Sequence, residues 1–219
     1  MIKSLLFDMD GILVDTEPIL AKAVMLALAE QGICLTEQEY YDYWTKKGKG
    51  ILGFVDEKNL PVDVNKYRTA RNKRYLEFLK INIPVFDGVK ETIVELSKTY
   101  KLGLVSSSRH KFVHFILKST DLEKYFSTII TSDDVKEEKP APDGFLLAAE
   151  RLHVEPKECV IIEDAEKGIL AAKNAGMKAI AIPNKYTRDN DFSCADLVLD
   201  SIKSLTLLKD IPDRFLVKI

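Results

Sequence analysis

Cysteine is scarce in this chain, charge of one sign is not in excess, and no apolar run is long enough to span a bilayer. The three cysteines, Cys34, Cys159 and Cys194, are odd in number and lack CxxC spacing. A disulfide framework or a zinc site is therefore not expected, and the thiols should be reduced. Lys plus Arg total 32 against 34 for Asp plus Glu, and the net charge of -2 offers no broad attraction for nucleic acid or an anionic membrane. Met1-Ile2-Lys3 leads directly into a strand-like run, without the apolar segment and small-residue cleavage site of a secretory signal. These absences point to a cytoplasmic monomer with no nucleic-acid or membrane partner, in which any basic site is local. No internal repeat or low-complexity segment is present.

The informative stretch is Leu5-Leu6-Phe7-Asp8-Met9-Asp10-Gly11, an apolar run that ends in two aspartates and a glycine. Ligands of open α/β sheets bind outside the carboxyl ends of the strands, so a strand that ends in a carboxylate places that group where a substrate would sit. The period of two along an extended chain puts Asp8 and Asp10 on one side. A capped turn would give the same short pattern, and it decides nothing alone. After Glu17-Pro18 a helical pattern ends at Gly32, Thr36 and Glu39 form a capping-box signature for a helix from Glu37 to about Lys46, and a third helix is predicted from Asp63 to Leu79. From Val85 onward, helices alternate with short apolar strands, as in a parallel sheet covered on both faces. Predicted helices are Val89 to Tyr100, Arg109 to Lys118, Asp143 to Leu152, Ala165 to Ala175 and Ile202 to Leu208; the tail Pro212 to Ile219 is ambiguous. The predicted fold is α/β: a Rossmann-like core of residues 1–16 and 82–219, interrupted by an all-α insertion at 17–81.

Three further strand or loop ends carry polar groups. Ser106-Ser107-Ser108 follow a strand and precede a helix, where hydroxyl and N–H groups can bind phosphate oxygens, although a serine there can equally be an N-cap. Lys139 lies in Lys139-Pro140-Ala141-Pro142-Asp143, where prolines hold an ammonium in an extended loop. Glu163-Asp164 end the run Cys159-Val160-Ile161-Ile162 and suit a hard divalent cation, with helix capping by Asp164 as the alternative.

Asp8-x-Asp10, Ser106, Lys139 and Glu163-Asp164 occur in the order and at the strand ends of the four motifs of the haloacid dehalogenase superfamily, which the whole chain resembles. The closest likeness is to its β-phosphoglucomutase-like and phosphoglycolate-phosphatase-like branch, with a helical cap. The resemblance implies a phosphatase acting on a small phosphorylated metabolite, a sugar or polyol phosphate. Asp8 would be the nucleophile that forms an aspartyl-phosphate, and Asp10 the acid and then the base. Mg²⁺ would be held by Asp8, the main-chain carbonyl of Asp10 and Asp164, with Glu163 bound directly or through water, while Ser106, Ser107 and Lys139 would hold the phosphoryl group. In the cap, Lys47 and Lys49 are expected near the remainder of the substrate; Arg71 falls where this branch often places a basic residue toward the substrate, with a solvated helix face as the alternative.

A phosphomutase is the runner-up. Against it, the histidine that many members carry three positions after Thr-Glu is replaced by Leu20, and an arginine of the cap loop is missing near Ile51. A signalling receiver uses similar groups, but its acidic pair comes first in a shorter chain. Gly48-Lys49-Gly50-Ile51-Leu52-Gly53 matches the dinucleotide fingerprint GxGxxG, yet it follows a helical pattern and lacks a surrounding βαβ unit, so a flexible cap loop is predicted. His110 and His114 have metal-ligand spacing without a third ligand.

Overall fold

Six short strands form one parallel sheet among the described residues: β1 (Ser4–Phe7), β2 (Lys101–Val105), β3 (Thr128–Ile130), β4 (Cys159–Glu163), β5 (Lys178–Ala181) and β6 (Leu197–Val198). The computed structural model describes residues 1–46 and 48–207. The strand order is β3-β2-β1-β4-β5-β6, so the chain steps outward on one side of β1 and then resumes on the other. That reversal makes the carboxyl end of β1 a topological switch point, where the flanking connections diverge and leave a crevice. Phe7 pairs in register with Leu104 on one side and Ile162 on the other, which sets Asp8 level with Glu163 at the crevice.

The strands are apolar because both faces of the sheet are covered. Leu6, Val105 and Ile161 enter a buried cluster with Phe145, Ala148, Ala149 and Leu152 of α7 (Asp143–Leu152) and with Ile169, Ala171 and Ala172 of α8 (Glu166–Asn174). The alternate residues Leu5, Phe7, Leu104, Val160 and Ile162 point to the other face and are equally buried.

The chain divides into two compact units, Met1–Asp15 with the chain from Val85 onward, and Thr16–Pro84. The second is helical: α1 (Glu17–Ala29), α2 (Glu37–Tyr40), α3 (Gly50–Lys58) and α4 (Val64–Ile81). Its apolar cluster gathers Ala21, Val24, Leu28, Tyr40, Phe54 and Tyr67. The Thr36–Glu39 capping box forms, with each side chain accepting a main-chain N–H of the other residue's turn. Among the described residues, no helix is long and apolar enough to cross a membrane.

Four elements differ from the sequence reading. The helix from Glu37 changes to a π-helix at Tyr41–Lys46, a wider turn in which Tyr40 stacks on Trp44 at 5.4 Å. The GxGxxG segment is largely helical: only Gly48 and Lys49 precede α3, because Ile51 and Phe54 bury against the cluster. The first helix of the later sequence, α5 (Val89–Leu96), stops short of Tyr100, whose N–H turns back to the Leu96 carbonyl before Lys101 enters β2. The final helix is a 3-10 helix, Ile202–Leu207, and the tail lies outside the described residues. Helix α6 (His110–Ser119) forms where predicted.

Tyr40 links α2 to α1 by donating its hydroxyl to Glu17 Oε1 at 3.2 Å. Burial, reinforced by the Glu17 carboxylate, holds its phenol well above the ordinary value of 10.0. The folded state therefore resists an ionisation that the unfolded chain undergoes near that value. The resulting stabilisation is complete below it and is lost as pH rises beyond it. Unfolding temperature measured against pH should fall more steeply above pH 10.0 for the wild type than for Tyr40→Phe; parallel curves would show that Tyr40 is not the group responsible.

Candidate active site

The ends of β1, β2 and β4 and the loop before α7 bring the predicted core residues together within the sheet unit. At the centre lies Lys139, whose side chain is only 6% exposed. Its ammonium donates to Asp8 Oδ1 at 2.6 Å, to the Val105 carbonyl at 2.8 Å and to Glu163 Oε1 at 2.9 Å. All three of its hydrogens are thereby committed, which is how a buried cation avoids the penalty of desolvation. The same ammonium stands 5.1 Å from the centroid of the Phe145 ring, and the Lys139–Pro140 peptide is cis.

Glu163 is held as firmly. Its Oε2 accepts the N–H groups of Asp164 at 2.8 Å and Ala165 at 2.9 Å as the chain turns into α8. The carboxylate fits there because residue 168, in the first turn of α8, has no side chain: a Cβ on Gly168 would stand 1.8 Å from Glu163 Oε1. Both Glu163 oxygens thus have protein partners. Asp164 is arranged differently. Its Oδ2 accepts from Asn184 Nδ2 at 2.7 Å and lies against Gly11, where the main chain has a φ of +92 and a Cβ would come within 2.3 Å of that oxygen.

The loop after β1 is clasped by its own main chain: the Gly11 N–H donates to the Val14 carbonyl, and the Leu13 carbonyl accepts from Phe86 N–H. Within it Asp10 Oδ2 accepts the Ser108 hydroxyl at 2.8 Å and, more weakly, that of Ser106 at 3.4 Å. Ser106 Oγ in turn accepts the Ser108 N–H at 3.1 Å, so the three-serine turn is ordered against Asp10. Ser107 lines a small cavity shared with Ser106, Thr131 and Lys139.

The charges do not balance. Burial raises the Asp8 carboxyl to about 7; Lys139 pulls it down, while Glu163 and Asp10 add to the rise. Asp164 is raised well above the usual carboxylate range by burial, by Glu163 and by Asp8. Burial also opposes charge on Lys139 and Glu163, but Asp8 and Glu163 together hold the lysine above its ordinary value, and Lys139 keeps Glu163 below its own. The Lys139–Glu163 pair is therefore self-satisfied, whereas Asp8 and Asp164 resist ionisation for want of further positive charge. A divalent cation would favour their charged forms. Among the described residues no three His, Cys, Asp or Glu side chains make a ready metal cage. Mg²⁺ does not require one, since it is held through one or two carboxylates, water and substrate phosphate. The donor set fits it.

The cap residues are placed otherwise. Lys49 is exposed, stands at the start of α3 and is ion-paired with Glu57 of that helix. Arg71 lies on α4 in the helical unit, and its Nε is buried without a hydrogen-bond partner among the described residues. Lys47 lies outside the described residues. Sequence reasoning passed over Gly168 and Asn184, and took Ser108 only as part of the serine turn and not as a partner of Asp10. A polar residue three positions beyond β5, at the same end of the sheet as Asp8, is the signal that could have found Asn184.

The chain matches the haloacid dehalogenase-like hydrolase family over residues 5–182. It is 31% identical to the phosphoglycolate phosphatase of Escherichia coli K12 over 229 residues, covering 93% of this chain and 91% of that protein. It is 33% identical to a phosphorylated carbohydrates phosphatase of Thermotoga maritima, covering 81% of this chain and 83% of the relative. The crystal structure of CbbY from Rhodobacter sphaeroides in complex with phosphate superposes with a TM-score of 0.85 at 28% identity, over 94% of this chain and 96% of that one. The chain belongs to the haloacid dehalogenase-like hydrolase family, as an enzyme of the phosphatase type.

Proposed function

We propose that this enzyme is a Mg²⁺-dependent phosphatase that hydrolyses a small phosphate monoester, a sugar or polyol phosphate, through an acyl phosphate on Asp8. The observation that carries this reading is the 2.6 Å contact between the Lys139 ammonium and Asp8 Oδ1 at the switch point of the sheet. A carboxylate approaches a phosphate ester only when cations screen the two negative charges from each other. One screening charge is built into the protein. Asp8, Asp164 and the main-chain carbonyl of Asp10 would hold Mg²⁺, which would supply the rest of the screening.

Asp8 attacks phosphorus, and the bond to the ester oxygen breaks as Asp10 gives that oxygen a proton. Asp10, held by the Ser108 hydroxyl, then takes a proton from the water that attacks the acyl phosphate. The bond from phosphorus to Asp8 breaks, inorganic phosphate leaves and the carboxylate is restored. Ser106 and Ser107 hold phosphoryl oxygens at the turn into α6. Lys139 acts there through its charge, because its hydrogens are committed to Asp8, Glu163 and Val105. Glu163 serves by fixing Lys139 and not as a metal ligand.

The carbohydrate reading is supported by the Thermotoga relative's name and by Arg71, a cation with no carboxylate partner among the described residues. Hydrolysis is favoured over transfer to a second sugar position because Leu20, packed against the apolar cluster of the helical unit, brings no acid or base.

Asp8→Asn removes the nucleophile and a metal ligand at nearly constant volume. Phosphate release should fall below about 1% of wild type while the variant stays folded by circular dichroism, with a lowered unfolding temperature because Lys139 loses a carboxylate partner; wild-type activity should vanish in excess chelator and return with Mg²⁺. Turnover that survives either treatment would sink the mechanism. Arg71→Ala should reduce kcat/KM for the preferred sugar phosphate by a larger factor than for a small aryl phosphate, because only the former can use a distal contact in the transition state. Equal losses on both substrates would assign Arg71 to the fold.

A further inference from the structure

We propose that Asn184 is a positioning residue that occupies one oxygen of Asp164 and leaves the other alone for a divalent cation, biasing the site toward Mg²⁺ over Ca²⁺. The inference rests on the metal reading given under the proposed function and concerns which oxygens that site offers.

The Asn184 amide is fixed at both ends. Its Oδ1 accepts the Tyr186 N–H at 2.9 Å, which sets the direction of the amide group, and its own N–H donates to Thr187 Oγ1 at 3.1 Å. The Nδ2 hydrogens therefore point away from this turn, one to Asp164 Oδ2 at 2.7 Å and the other to the Gly11 carbonyl at 3.3 Å. The same Oδ2 is walled in by the main chain of Gly11, so close that a Cβ would collide with it. Asp164 Oδ1 accepts no hydrogen bond from any described residue. A carboxylate held in this way offers a single oxygen.

The consequence follows from ionic size. Mg²⁺ takes six ligands in a tight octahedron and accepts one oxygen from each carboxylate, whereas Ca²⁺ takes six to eight oxygens and readily binds both oxygens of one carboxylate. An Asp164 free to rotate would serve Ca²⁺ better than the fixed one does. Hydrogen-bond partners of metal-binding carboxylates commonly contribute about tenfold to a hundredfold in metal affinity.

Calorimetric titration of the full-length, metal-free enzyme with Mg²⁺ and, separately, with Ca²⁺ tests this without reference to turnover. Asn184→Ala should weaken Mg²⁺ binding by about tenfold or more while Ca²⁺ binding falls less, so that the ratio of the two affinities drops. Asn184→Ser, whose hydroxyl can still accept the Tyr186 N–H but cannot reach Asp164, should do the same if alanine loosens the turn. Thr187→Ala breaks a bond of the turn without touching Asp164 and should leave the ratio unchanged. Equal losses for both cations, no loss, or the same change of ratio in Thr187→Ala would overturn the proposal. A wild-type enzyme that binds neither cation would overturn it together with the metal reading; one that binds Mg²⁺ with an Asn184-independent preference would overturn the Asn184 role alone.

Discussion

A lysine ammonium buried beneath the sheet's switch point is the constraint on which the site depends. An unpaired charge at this depth would cost several kcal/mol, and removing either carboxylate partner leaves such a charge behind. Asp8, Glu163 and the Val105 carbonyl must therefore stay within reach of Lys139 together. The flanking strands hold them at fixed register: Phe7 sits between Leu104 and Ile162, so the positions that follow these residues converge. Gly168 keeps the space behind Glu163 empty, and the first N–H groups of the β4–α8 turn fasten its far oxygen.

This arrangement divides the work of two adjacent acids. Glu163 faces inward and is consumed by Lys139 and the helix start, whereas Asp164 faces Gly11 and Asn184 and keeps an oxygen without a protein partner among the described residues. Adjacent strand-end residues point in opposite directions, so an acidic pair supplies one group to the scaffold and one to the crevice.

Much of this was readable because it is local. The apolar runs of β1 and β4 end in acids, and alternating helices and strands after Val85 imply a parallel sheet before any contact is known. The Thr36–Glu39 cap is likewise contained in four residues. What escaped is non-local. Ser108 meets Asp10 across 98 positions, and Asn184 meets Asp164 across 20, through loops whose path follows from the folded sheet alone. The ion pair of Lys49 with Glu57 likewise joins residues eight positions apart that α3 brings together. The second helix widens into a π-turn at Tyr41–Lys46, a change of hydrogen-bond spacing that the apolar pattern of a helix does not encode.

The central claim is that Asp8 is a nucleophile and not merely a partner of Lys139. Removing the base that activates water should make its acyl phosphate accumulate when the leaving group needs no proton from Asp10, so Asp10→Ala mixed with an aryl phosphate and Mg²⁺ can be quenched in acid and its peptides mapped by mass spectrometry. The account predicts a phosphoryl group on the peptide containing Asp8, absent when Asp8 is also changed to Asn. Substrate turnover in that variant with no enzyme-bound phosphoryl at any time point, or with the group on another residue, would contradict it.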